Sequence, residues 1–277
     1  MLKTLRRISL VTVMVASIFT VVAVVSHASH SWGGYHWART ANPFTLRVGN
    51  NVTSNWTTQF NTALADWSNS SVMNLTEIAG TAGRNCKMVA GTVQVCNRTY
   101  GSNGWLGLAS INITGGTHIT QGTAKMNDTY FNTSTYNNPN EKLHVMCQEI
   151  GHTFGLDHQS TSGASLNTCM DYFSNTGANA NSTLSTHPNM HDYDELVTIY
   201  THLDSFTTIS RSILVPTISD VTDRPETWGQ LISQSKNGRS STYARLNSDG
   251  SETFTHVYWT MEAAEQCRQC DHRDYQQ

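Results

Sequence analysis

The chain has 277 residues, with 17 Lys+Arg against 20 Asp+Glu and a formal net charge of −3. Charged residues make up 13%, about half the roughly 25% of ordinary soluble domains; with a mean hydropathy of −0.37, uncharged Asn, Ser, Thr and Gly fill the difference. That balance excludes a polytopic membrane protein, a charge-driven disordered tail and a basic nucleic-acid binder.

The first element is an expected export leader. Lys3, Arg6 and Arg7 precede an uncharged, mostly apolar run from Ile8 to Val25, and Ser26-His27-Ala28 place small residues where cleavage after Ala28 would need them. The competing reading is an uncleaved N-terminal anchor, which Ser9, Thr12, Ser17 and Thr20 weaken. Either way the remainder faces the outside. Cleavage removes those three positive charges and no acid, so the net charge falls from −3 to −6. Six cysteines lie beyond the leader, an even number that favours disulfides in an exported chain. Proximity in sequence points to Cys86–Cys96 and Cys147–Cys169, among the 15 pairings that six cysteines allow; Cys267-x-x-Cys270 reads as a local disulfide in its polar terminal context, with a redox or zinc pair as the alternative.

Phe44–Val48 alternates like a half-buried strand. From Val52 to Trp67, the residues Trp56, Phe60, Leu64 and Trp67 recur at helical spacing, a core-packing stripe. Short strands are expected at Val72–Ile78, Lys87–Val95, Leu106–Ile113 and His118–Met126, separated by Gly and Asn clusters. Glu141–Phe154 reads as a helix stopped by Gly155, and Asp192–Leu203 as another. The fold class is therefore α+β, with the main domain spanning 29–204. After a loop over 205–227, Leu231–Ser235, Thr242–Leu246 and Thr253–Trp259 read as three strands of a small β appendage, the 205–277 extension.

The chemistry concentrates in Gln148-Glu149-Ile150-Gly151-His152-Thr153-Phe154-Gly155-Leu156-Asp157-His158. Residues four apart share a helix face, so Gln148 and His152 can converge, with Glu149 beside them. Gly155 turns the chain so that His158 reaches the same point. Two imidazoles and a further donor around an open position suit a catalytic zinc, and the neighbouring carboxylate can take a proton from an attacking water.

QExxHxxGxxH differs at one residue from the HExxHxxGxxH of the metzincin zinc proteases, and Thr168-Cys169-Met170-Asp171-Tyr172 resembles their Met-turn. The resemblance covers about Phe44 to Asp204. Tyr35-His36-Trp37-Ala38-Arg39-Thr40 and Gly104-Trp105-Leu106-Gly107 are similar to strings of secreted bacterial matrixin-like proteases. It implies a secreted zinc endopeptidase, monomeric, with Zn2+ as cofactor and an extended peptide or protein as substrate; no nucleic acid and, after leader removal, no membrane is implied. His152 and His158 match the second and third zinc ligands, and Gln148 stands where the first histidine would be. Glu149 matches the general base, Met170 the methionine under the metal, and Tyr172 the tyrosine that some branches use as a further ligand or oxyanion stabiliser. The strand at His118–Met126 matches the one that binds substrate by strand addition. A Cys147–Cys169 bridge would staple the zinc helix to the Met-turn.

Gln148 leaves three outcomes open: ligation through its carbonyl oxygen, replacement by another residue, or a non-catalytic secreted peptide- or surface-binding protein on the same scaffold. His144, one turn earlier and about 6 Å along the axis, is expected as a partly exposed helix histidine. His187 and His191 read as loop and cap residues, and His36 and His118 as structural. No ligand cluster for calcium or a second zinc is recognisable.

Overall fold

The computed structural model describes residues 30–209, 223–266, 268 and 270–275. The expected leader and Cys267, with its pairing to Cys270, lie outside them. No helix among the described residues is long and apolar enough to cross a membrane.

The chain forms a mixed sheet with helices packed against it. In chain order the strands are β1 (His36–Trp37), β2 (Phe44–Asn51), β3 (Met73–Ala79), β4 (Thr92–Arg98), β5 (Trp105–Thr114), β6 (His118–Asn127), β7 (Gln230–Gln234), β8 (Ser240–Leu246) and β9 (Glu252–Trp259). The helices are α1 (Thr57–Trp67), α2 (Asp128–Phe131), α3 (Pro139–His152), α4 (Met190–Ile199) and α5 (Met261–Gln266). The strand order is β3-β2-β4-β6-β5-β9-β8-β7, with β1 paired to β6. Strands β2, β3, β4 and β6 run parallel to their neighbours in that block, and from β5 onward the pairing is antiparallel.

Most elements lie within a few residues of their expected places, because each carries its own periodicity. The stripe Phe60, Leu64 and Trp67 faces the core from α1, whose first turn is a short 3-10 segment at Ser54–Trp56. The start of α3 is set by Asn138, whose side chain accepts from Glu141 N at 2.8 Å, and by Pro139 in the first turn, where no helical N–H is lost. The chain leaves α3 through Gly155 at φ +93°, and a Cβ there would collide with the Tyr35 carbonyl. Asn189 and Asp192 form a reciprocal capping box at the start of α4.

Two expectations change. The C-terminal strands, read as an appendage, continue the main sheet: β9 pairs with β5 from Trp105↔Trp259 to Ile113↔Glu252. Sequence alternation identifies a strand and carries no information on its partner. For the same reason β6, expected to bind substrate along an open edge, is interior. It is flanked by β4 and β1 on one side and β5 on the other, so it has no free ladder to offer a peptide.

Both Cys86–Cys96 and Cys147–Cys169 are bridged. The second joins α3 to the 168–172 loop across 22 residues of sequence, a loop closure worth about 3 kcal/mol on the chain-entropy account.

Candidate metal centre

The motif residues come together at the C-terminal end of α3. Close packing of the helix on the Met170 loop requires Gly151: a Cβ there would lie 2.7 Å from Trp67 Cζ2 and 2.8 Å from Met170 Sδ. Trp67 also donates from Nε1 to the Cys147 carbonyl at 3.0 Å. Met170 is fully buried, with its Sδ against Gly151.

His152 and His158 face one another with ring centroids 4.6 Å apart. A third imidazole joins them from β9. His256 lies 4.0 Å from the His152 ring and 4.7 Å from that of His158, centroid to centroid. One nitrogen from each of the three lies within 4.8 Å of the other two. The Nε2 atoms of all three are buried without a hydrogen-bond partner among the described residues. Buried polar atoms are almost always paired, so three unpaired nitrogens side by side are what a bound cation would resolve.

Each Nδ1 has a neighbour within hydrogen-bonding reach, which leaves Nε2 as the atom that could ligate a metal. His152 Nδ1 donates to the Leu156 carbonyl at 2.8 Å. His158 Nδ1 lies 3.2 Å from Asp157 Oδ1 and 2.9 Å from the Tyr172 hydroxyl. His256 Nδ1 lies 3.4 Å from Glu149 Oε2. Such outer partners orient metal-binding imidazoles and fix their tautomers. Trp32 stacks flat on His152, with centroids 4.8 Å apart and planes 2° from parallel.

Burial, together with the charge of the neighbouring imidazoles, holds the proton affinity of His152 and His256 well below the ordinary histidine value. Both rings are therefore neutral at physiological pH, the form that ligates metal. Burial likewise raises the Glu149 carboxyl well above its usual range. Its Oε1 is buried without a partner among the described residues. The Tyr172 phenol is also pushed up by burial, against the opposing hydrogen bond with Ser240.

Gln148 occupies the expected first-ligand position on α3, but its amide is anchored to the Met170 loop. Nε2 donates to the Cys169 and Asp171 carbonyls at 2.9 and 2.8 Å, and Oε1 is buried without a partner among the described residues. His144 is fully buried rather than partly exposed: its Nδ1 lies 3.2 Å from Asn175 Oδ1 and its ring stacks on Tyr258. The reason is that the 168–175 loop and β9 close over the helix face that sequence leaves open. His187 is exposed and pairs with Asp66 at 2.6 Å.

Sequence motifs did not indicate His256. Its one signal is a histidine inside the Thr253–Trp259 strand pattern, with no ligand spacing to connect it to α3. Strands β8 and β9 supply His256 and, through Ser240, a hydroxyl to Tyr172. The result is a closed centre: His152, His256 and Glu149 are inaccessible, and His158 retains 9% of its surface. Compared with models of known families and with curated proteins, the chain matches none.

Proposed function

We propose that the chain is a zinc-dependent endopeptidase of metzincin type in which His152, His158 and His256 hold the metal. The observation that carries this reading is the convergence of three buried imidazole nitrogens, unpaired among the described residues, beside a buried carboxylate. Three nitrogen donors with a fourth position left open are the donor set of a catalytic rather than a structural zinc. A zinc bound there supplies Lewis-acid polarisation of a peptide carbonyl and makes a water acidic enough to react near neutral pH.

The chain's own groups have separable tasks. Glu149 Oε1, the carboxylate oxygen without a partner among the described residues, accepts the proton of the attacking water and later delivers it to the leaving amine. Burial raises its proton affinity, the direction that makes a carboxylate the stronger base. Glu149 Oε2 faces His256 Nδ1 and keeps that ring turned toward the cluster. Tyr172 hydrogen-bonds to His158 and Ser240, and from there its hydroxyl can stabilise a developing oxyanion. Gln148 is a positioning residue that ties α3 to the Met170 loop. His256 fills the place left by the motif's missing histidine, the second of the three outcomes open to the sequence.

Closure of the centre favours one alternative, a non-catalytic secreted binding protein whose metal holds β9 to α3. Casein cleavage by the purified full chain separates the two. The proteolytic reading expects activity that a chelator removes and zinc restores, and a loss of about 10²-fold or more in kcat for Glu149→Gln. It expects His256→Ala to lose zinc and activity together. Chelator-insensitive cleavage would overturn it, as would zinc-loaded but inert protein. Full activity in His256→Ala alongside an inactive, zinc-free Gln148→Ala would return the third ligand to position 148.

A further inference from the structure

A polar cleft of about 440 Å³ lies at the carboxyl ends of the parallel strands, the end at which open α/β sheets receive their ligands. Thr53 lines it two residues beyond β2, Arg98 and Tyr100 at the end of β4, and Asp128 directly after β6. Arg84 and Asp223 also line it, and the Cys86–Cys96 bridge ties the Arg84 loop to β4. Lys125 reaches the cleft from β6. Its neighbours Ala124 and Met126 belong to the core shared with α3, so strand alternation turns Lys125 to the opposite face of the sheet, away from the three-histidine centre. Its Nζ lies 5.9 Å from the centre of the Tyr100 ring and 3.9 Å from Asp223 Oδ1.

We propose that this cleft binds a phosphate-class oxyanion through Lys125, Arg98 and Tyr100. Lys125 Nζ, Arg98 Nε and the Tyr100 hydroxyl are all buried without a hydrogen-bond partner among the described residues. Buried polar atoms are almost always paired, and these three share one chemistry: an ammonium, a guanidinium N–H and a phenol can each donate to an anion. The other contact of Arg98 is a long one, from Nη2 to the Gly83 carbonyl at 3.5 Å. Charge points the same way, with Lys125, Arg84 and Arg98 set against Asp128 and Asp223. Asp128 is already committed, because its oxygens accept from Trp56 Nε1 at 2.8 Å and from Asn97 Nδ2.

A simple ion pair accounts less well for the arrangement. At 3.9 Å the Asp223 carboxylate is beyond hydrogen-bond reach of Lys125, and burial outweighs its charge, lowering the ammonium to about 8. The group still carries its proton at neutral pH. A water fits no better, since it accepts two hydrogen bonds and brings two donors of its own to a site already rich in donors. A tetrahedral oxyanion offers acceptors alone and matches the guanidinium fork. The cleft is wider than a bare ion needs, so it admits phosphate as the free ion or as a small monoester. Sequence conceals the site because no glycine-rich loop marks it and its donors come from two strands.

The test is calorimetric titration of the full-length protein with inorganic phosphate and with phosphoserine, at pH 7 in chloride buffer of fixed ionic strength. Wild type is expected to bind one anion per chain. Tighter binding of phosphoserine would identify a monoester as the ligand, and tighter binding of phosphate the free ion. Lys125→Met and Arg98→Gln should each weaken binding about tenfold or more, the scale of one lost charged hydrogen bond, and Tyr100→Phe by less. Absence of saturable binding to wild type would overturn the proposal by itself. So would unchanged affinity in Lys125→Met, which removes the charge with little change of volume and decides the matter should Arg98→Gln fail to fold.

Discussion

Lys125 lies in the middle of β6, between Cys96 of β4 and Leu108 of β5, and none of its side chain reaches solvent. Its ammonium has a carboxylate 3.9 Å away, Asp223, and the face of Tyr100 at 5.9 Å. Burial outweighs the Asp223 charge and depresses the group to about 8. An unfolded lysine titrates near 10.4, so between those values the unfolded chain binds more protons and stability rises with pH. Below the folded value both states are charged and the whole cost of burying the charge is present. Over the full interval the gain is about 3 kcal/mol. Denaturant melts from pH 8 to 9.5 should show wild type gaining on Lys125→Met, which should itself be the more stable protein at pH 7. Parallel pH profiles for the two would refute a depressed Lys125. At this same scale the sequence discloses Glu149, His152 and His158, because helical spacing and one turn-forming glycine place them. It does not disclose His256, whose neighbours come from β5 and α3.

Where α3 meets the Met170 loop, packing allows no side chain at position 151. Alanine there has to displace the Trp67 ring or the Met170 thioether, both fully buried, and overpacking of this kind typically costs about 1–3 kcal/mol. Gly151→Ala should therefore lower the denaturation midpoint while leaving the slope unchanged. An unaltered midpoint would mean that helix and loop are less tightly joined than the Cys147–Cys169 bridge and the Gln148 amide indicate. Elements with a period of their own, such as α1, α3, α4 and β5, are legible in sequence to within a few residues. The turns α2 and α5 are not; each is too short to show a helical period. Strand neighbours are illegible for a different reason. β6 alternates no differently whether its edge is free or covered, and only the assembled sheet shows it covered.

The largest departure from the sequence reading concerns the whole molecule, where residues 230–259 complete the fold. Trp105 and Leu108 of β5 are buried with Trp228, Tyr243, Val257 and Trp259 in a cluster that exists only because β8 and β9 lie alongside. Removing residues 230–277 would uncover the full length of β5, ten residues with a mostly apolar burial pattern. An exposed edge of that kind pairs with other chains. The same deletion removes His256 from the proposed metal centre and Ser240 from Tyr172. The truncated chain should thus aggregate in a concentration-dependent way, while His256→Ala should stay monodisperse and lose the zinc proposed for the three-histidine centre. Light scattering and zinc content, measured on both proteins, separate the structural contribution of the segment from its ligand. A truncated chain that stays monodisperse and keeps that zinc would show that 29–204 is self-sufficient, with the C-terminal strands an appendage after all.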